Sequence, residues 1–199
     1  MGETGTGKST LAAYLLLARR NTIAVRTKSD DTKLPGKHVR TVREIERDAT
    51  SDRFLLEPKY DEQRDEVARS FHYVWKSSTP RGGWTHYVDE LLYVDQMLGL
   101  GRLVDRNLTQ GRSMNITQIC GMQRPVGQTR YALSESRHVI TFALDGRDAR
   151  TFGEATSDML RSRVMALGKY EALWYYRPDR QYAVVRLGRN GKGPLELVD

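Results

Sequence analysis

Three short stretches carry residue types at spacings that could do chemistry. The first is Gly2-Glu3-Thr4-Gly5-Thr6-Gly7-Lys8-Ser9, followed by Thr10. It fits the G-x-x-x-x-G-K-[ST] pattern without a mismatch. The glycines let a backbone curl until several N–H groups converge on one anion, and a helix opening near Lys8 adds the positive end of its dipole. In such a loop Lys8 reaches the β- and γ-phosphates of a nucleotide and the Ser9 hydroxyl ligates Mg²⁺. The second stretch is Trp84-Thr85-His86-Tyr87-Val88-Asp89-Glu90, a β-prone run ending in two carboxylates. An acidic pair can simply open a helix. About 80 residues after a complete glycine loop, it reads as Asp89 for the metal's water shell and Glu90 as general base. A base there favours attack by water over transfer of phosphate to an acceptor. The third stretch runs from Gly111-Arg112 through Asn115 to Gln123-Arg124-Pro125. Pro125 lacks an N–H and disfavours helix at Arg124, so a strand ends there. Gln123 then sits at the carboxyl edge of a sheet, where ligands bind in open α/β folds and an amide can bond a γ-phosphate or the attacking water.

The elements that must position these groups alternate. Residues 9–20 read as a helix, 22–27 as a strand, 42–48 as a short helix and 53–57 as a strand. Residues 61–76 place Val67, Ala68, Phe71, Val74 and Trp75 at helical spacing, and Pro80, Gly82 and Gly83 break that helix. A strand over 84–88 and helical material over 91–110 follow. Strands over 115–122 and 139–144 come next, then a largely helical stretch over 147–167. Two short strands, 171–176 and 182–187, predict a terminal hairpin. The pattern predicts an α/β fold with a mainly parallel sheet flanked by helices. The 199 residues read as one domain, with a motif-bearing core over 1–145 and C-terminal helices and hairpin over 146–199.

Composition narrows the function class. Hydrophobic residues make up 39% and charged residues 29%, which suits a globular domain. The longest apolar run, residues 11–18, is too short to span a membrane and does not fit a signal peptide. The single Cys120 excludes an internal disulfide framework and suits a reducing cytoplasm. Four scattered histidines offer no zinc spacing, and His72 and His86 read as ordinary core or surface residues. The net charge is +7, and 24 of the 32 basic residues are arginine, a residue that grips phosphates with two donors at once. Between residues 99 and 137 six arginines (102, 106, 112, 124, 130 and 137) face only Asp105 and Glu135, a local excess that fits a polyanionic partner. Tyr170, Trp174, Tyr175 and Tyr176 could stack on bases, but at strand spacing they read as packing. Arg161 and Arg163 read as a solvated helix face.

Taken in order, a glycine loop, a strand ending Asp-Glu and a Gly-Arg before a strand ending Gln-Arg-Pro resemble the FtsK–HerA family of DNA-pumping ATPases. The resemblance spans roughly residues 2 to 145. It implies a RecA-like P-loop NTPase fold, a homo-oligomeric ring, ATP and Mg²⁺ at subunit interfaces and double-stranded DNA, read without sequence preference, in the pore. Residues 2–10 become the nucleotide-binding set, Lys8 and Ser9 matching Walker A, Asp89 and Glu90 matching Walker B and Gln123 the polar sensor. Ser9 and Asp89 serve the metal. Arg112 becomes the leading trans-acting arginine finger, with Arg124 and Arg106 in reserve. The chain's length points to the compact viral-packaging type, a phage source and the cytoplasm of a bacterial host. A small-molecule or nucleotide kinase and a nucleotide-dependent assembly scaffold are the competing readings; the Gln-Arg-Pro ending argues against the first and the Asp-Glu pair against the second. One departure carries its own expectation. Only Met1 precedes the loop, whereas the family places a buried strand there, between the strands over 115–122 and 139–144. The chain is therefore expected to be an N-terminally shortened form of a longer protein, to be checked in the DNA upstream of Met1.

Overall fold

The computed structural model describes residues 1–2, 5–28, 34–127, 129–188 and 195–198. The chain divides into two compact units, one formed by Ala12–Gly121 and the other by Met1–Leu11 with Met122–Asp199.

Helix α1, Lys8–Leu17, starts in the discontinuous unit and continues into the other. Its sequence KSTLAAYLLL is rich in Ala and Leu, the residues that lose least on becoming helical. The chain then turns through Asn21, at φ 50°, a left-handed conformation that asparagine tolerates. It enters β1 (Thr22–Val25), β2 (Lys37–Val39), α2 (Val42–Arg47), β3 (Arg53–Leu56), α3 (Gln63–Ser77), β4 (Thr85–Val88), α4 (Gly101–Gln110) and β5 (Thr117–Cys120). The strands form one parallel sheet in the order β2-β3-β1-β4-β5. Every residue of β1 and β4 is buried, as central strands covered on both faces must be. Ala12 and Leu16 of α1 pack against Ala24, Leu55 and Tyr87 of the sheet. In register, Val25 lies opposite Leu56 and Val88, and Val88 opposite Cys120. The carboxyl ends of these strands therefore finish level, and Asp89 is the first residue beyond that edge.

His86, in the middle of β4, is wholly buried. Its ring lies 4.4 Å from that of Phe71, and its nitrogens face Ser70 Oγ at 2.9 Å and Gln118 Oε1 at 3.1 Å. Burial lowers its pKa to about 4, against a smaller opposing effect of the Gln118 hydrogen bond. The native state thus refuses a proton that the unfolded chain takes up below about pH 6.5. Stability from this group is complete above that pH and falls as pH drops toward 4, by about 3 kcal/mol in all. Denaturant midpoints measured across pH 4 to 7 should show this slope, and His86→Gln should flatten it; an unchanged slope in that variant would assign the acid sensitivity elsewhere.

The discontinuous unit contains a single helical turn, α5 (Tyr131–Ser134), then β6 (His138–Phe142), α6 (Gly146–Ala155), α7 (Asp158–Met165), β7 (Glu171–Tyr176), β8 (Gln181–Leu187) and β9 (Leu195–Val198). The strands form an antiparallel sheet in that order. Alternation sends Val139, Leu173 and Tyr175 to a core shared with Ala149 and Phe152 of α6 and Leu160 and Val164 of α7. Trp174 and Tyr176 face the other way with His138. The His138 and Tyr176 rings stack at 4.8 Å, and Trp174 Nε1 donates to His138 Nδ1 at 3.1 Å. Of the aromatics read as packing, Tyr175 is buried in that core, whereas Trp174 is 41% exposed and meets His138 at the surface.

The fold is the predicted α/β arrangement: a parallel sheet with helices and a C-terminal hairpin, here extended by β6 and β9 into a separate sheet. The strand predicted over 139–144 exists as β6, but it pairs antiparallel with β7. Residue 1 runs along its other edge: the Met1 nitrogen donates to Ile140 O at 2.7 Å, and Phe142 N donates to Met1 O at 2.9 Å, the pattern of a parallel ladder. Met1, directly ahead of the loop, thus lies along β6, one of the two strands between which the expected strand was placed. Among the described residues no helix is long and apolar enough to cross a membrane.

Candidate functional site

In the discontinuous unit, the glycine loop passes through Gly2, Gly5 and Gly7, all at positive φ (139°, 81° and 103°). Two of these positions admit nothing larger. A Cβ on Gly7 would come within 2.3 Å of Leu187 Cδ1, and one on Gly2 within 2.8 Å of Phe142 Cβ. The ends of β6 and β8 therefore form the floor on which the loop curls. Gly2 N donates to Gln123 O at 3.2 Å, which ties the loop's first residue to the Gln-Arg-Pro stretch. Lys8 opens α1, and its Nζ donates to Gly2 O at 2.6 Å, so the ammonium folds back across the loop. Ser9 and Thr10 lie half-buried in the first turn of α1, and no acidic residue stands in that turn to offset the helix's positive end. Left-handed glycines, a lysine folded over the loop and a helix start with no acidic residue in its first turn are features of the kind that suit an anionic oxygen cluster. Glu3 and Thr4, also in the predicted nucleotide-binding set, lie outside the described residues.

In the other unit, β4 delivers Asp89 and Glu90 at the carboxyl edge of the parallel sheet. Asp89 N donates to Val25 O at 3.3 Å, and its Oδ1 accepts the Tyr87 hydroxyl. Glu90 Oε2 accepts Lys28 Nζ at 2.7 Å; the lysine side chain is 52% exposed and the glutamate 15%. Lys28 is thus the partner that can swing away, since a half-exposed ion pair is held by little. Among the described residues no group of three or more His, Cys, Asp or Glu gathers that could cage a metal.

Three residues that sequence reasoning passed over shape this edge. Gly121 N donates to Val88 O at 2.7 Å and Leu91 N to Gly121 O at 2.9 Å, and a Cβ on Gly121 would lie 2.3 Å from Asp89 O. Gly121 therefore lets β5 close on the acidic pair. Tyr87 orients Asp89 and Lys28 engages Glu90. A glycine ending a strand is the only one of the three with a sequence signal.

The remaining predicted residues are placed as follows. Gln123 is exposed, its backbone holding Gly2. Arg112 is exposed on the turn Gly111–Met114 ahead of β5, at the amino end of a sheet whose carboxyl end carries Asp89. It is not brought to its own chain's acidic pair. Arg106 lies over the Trp75 ring at 3.8 Å, while Arg124 faces Asp148 at 3.8 Å.

No family model matches the chain, and no curated protein matches it by sequence. Solved structures do match its fold. The genome packaging NTPase B204 from Sulfolobus turreted icosahedral virus 2, in complex with sulfate, aligns with a TM-score of 0.75 at 16% identity over 92% of both chains. The same protein in complex with AMPPCP gives 0.75 at 18% identity, over 92% of this chain and 93% of that one. B204 described as the DNA-packaging ATPase from Sulfolobus Turreted Icosahedral Virus gives 0.73 at 16% identity over 92% and 93%. At these identities the likeness is one of fold: this chain has the fold of a P-loop NTPase.

Proposed function

We propose that this chain is a Mg²⁺-dependent ATPase that moves or packages double-stranded DNA as a homo-oligomeric ring of the FtsK–HerA type. The observation that carries the reading is the phosphate loop itself, with Gly2 and Gly7 pressed onto Phe142 and Leu187 and Lys8 opening the helix behind them. The fold shared with B204, a packaging NTPase solved with ATP analogues, supports the substrate and the cargo. Lys8 and the loop amides hold the phosphates. Ser9 and Asp89 hold Mg²⁺, which when bound draws charge off the phosphate oxygens. Glu90 takes the proton of the attacking water and Gln123 fixes that water's position. Arg112, exposed and remote from its own Asp89, is suited to reach a neighbouring subunit's γ-phosphate. A finger supplied in trans is worth about 10³–10⁵ in rate.

Turnover measured with and without duplex DNA across protein concentration tests the reading. The specific rate should rise with concentration and with any duplex, and DNA affinity should fall steeply with salt as arginine–phosphate contacts release counterions. Arg112→Ala should bind ATP and not hydrolyse it, and mixing it with Lys8→Ala should restore partial turnover. Turnover indifferent to DNA, or dependent on a small phosphate acceptor, overturns the motor reading in favour of a kinase.

A further inference from the structure

The discontinuous unit has a cavity of about 340 Å³ lined by Arg124, Val126, Asp145, Arg147 and Asp148. We infer that it receives the nucleoside end of the nucleotide, with Asp145 accepting ribose hydroxyls and Arg124 covering the base. The inference rests on the proposed nucleotide binding and adds which part of the ligand these residues read.

Two covalent paths put the cavity beside the phosphate loop. Arg124 directly follows Gln123, whose carbonyl holds Gly2 N at 3.2 Å, so the cavity wall begins one residue, about 3.8 Å along the chain, from that contact. On the other side Phe142 lies beneath Gly2 and Gly7, and Asp145 comes three residues later, within about 11 Å of extended chain. A ligand whose phosphates sit in the loop therefore has this cavity within reach of its other end.

The lining says what kind of group fits. Two carboxylates and two guanidinium groups cancel, which disfavours a second phosphate cluster or a bare cation and favours a neutral, polar group. The volume falls at the small end of the range for small-molecule sites, roughly 300–1,000 Å³, which suits a sugar and base. Asp145 is the N-cap residue of α6, its carboxylate makes no cap hydrogen bond, and it lines the cavity. Carboxylates are strong acceptors for sugar hydroxyls. Arg124 is 75% exposed in its side chain and faces Asp148 at 3.8 Å through Nε, and a planar guanidinium is a group that stacks on a base. Val126 supplies an apolar wall. This assignment gives Arg124 a role in its own subunit and removes it from the arginines available in trans.

Calorimetric titration of the full chain with ATP, 2′,3′-dideoxy-ATP and inorganic tripolyphosphate, each with Mg²⁺, tests the inference. Wild-type protein should bind ATP about tenfold or more tighter than either of the others. Asp145→Asn, which keeps a good N-cap residue, should erase the preference for ATP over dideoxy-ATP. Arg124→Ala should weaken ATP by about tenfold, and neither variant should change tripolyphosphate binding. Equal affinity of wild type for ATP and tripolyphosphate overturns the inference while leaving phosphate binding intact. ATP affinity unchanged in both variants also overturns it. Failure of wild type to bind either ATP or tripolyphosphate overturns the proposed function and this inference with it. The comparison among the three ligands on wild type requires no variant to fold.

Discussion

Lys8→Ala is expected to lose nucleotide binding, with affinity for Mg²⁺-ATP falling about 100-fold or more. Lys8 Nζ already lies across the loop on Gly2 O, and in the proposed function it is the loop's one full positive charge against the β- and γ-phosphates. The backbone amides remain in the variant, but they carry only partial charges. The fold should survive, because the side chain is half-exposed and the helix that follows gains alanine, the best helix former. Titration calorimetry alongside a thermal melt checks both halves. ATP affinity within a few-fold of wild type in a folded variant would falsify the phosphate-loop assignment.

Glu90→Gln should separate binding from chemistry. An amide has nearly the shape of the carboxylate but cannot accept the water's proton, and a positioned general base is worth about 10²–10⁴ in rate. Turnover should drop by that factor while ATP affinity stays close to wild type. The substitution also breaks the ion pair with Lys28, so Lys28→Ala serves as control: it breaks the same pair and should leave most turnover in place. Loss of activity in Lys28→Ala equal to that in Glu90→Gln would make the pair, rather than the base, the important feature.

What the sequence disclosed, and what it hid, follows from how far apart the interacting residues lie. The phosphate loop is eight consecutive residues whose glycines announce the left-handed backbone found at Gly2, Gly5 and Gly7. The acidic pair follows directly on the strand that carries it, so spacing alone placed both carboxylates at the sheet edge. Gly121 escaped notice because its need arises between β4 and β5, where Asp89 O leaves no room for a Cβ. The sense of β6 escaped too: a run such as His138–Phe142 reads the same whether its neighbour is parallel or antiparallel, and the pairing with β7 is settled only once α6 and α7 have reversed the chain. Asp145 and Asp148 stand where acids commonly open a helix, so nothing in the sequence marks them, and only the cavity they line with Arg124 gives them another use.

The contact between Gly7 and Leu187 sets an order of events during synthesis. The loop precedes its floor in the chain, because Phe142 and Leu187 are made some 135 and 180 residues after Gly7. The unit that holds the loop closes only when residues 1–11 meet residues 122–199, and contacts so distant in sequence form slowly. The nascent chain therefore carries an unshaped glycine segment until β8 emerges, and cellular ATP cannot serve as an early folding ligand. Ligand stabilisation acts only on a state that already binds, so the nucleotide rewards a completed subunit and ignores a partial one.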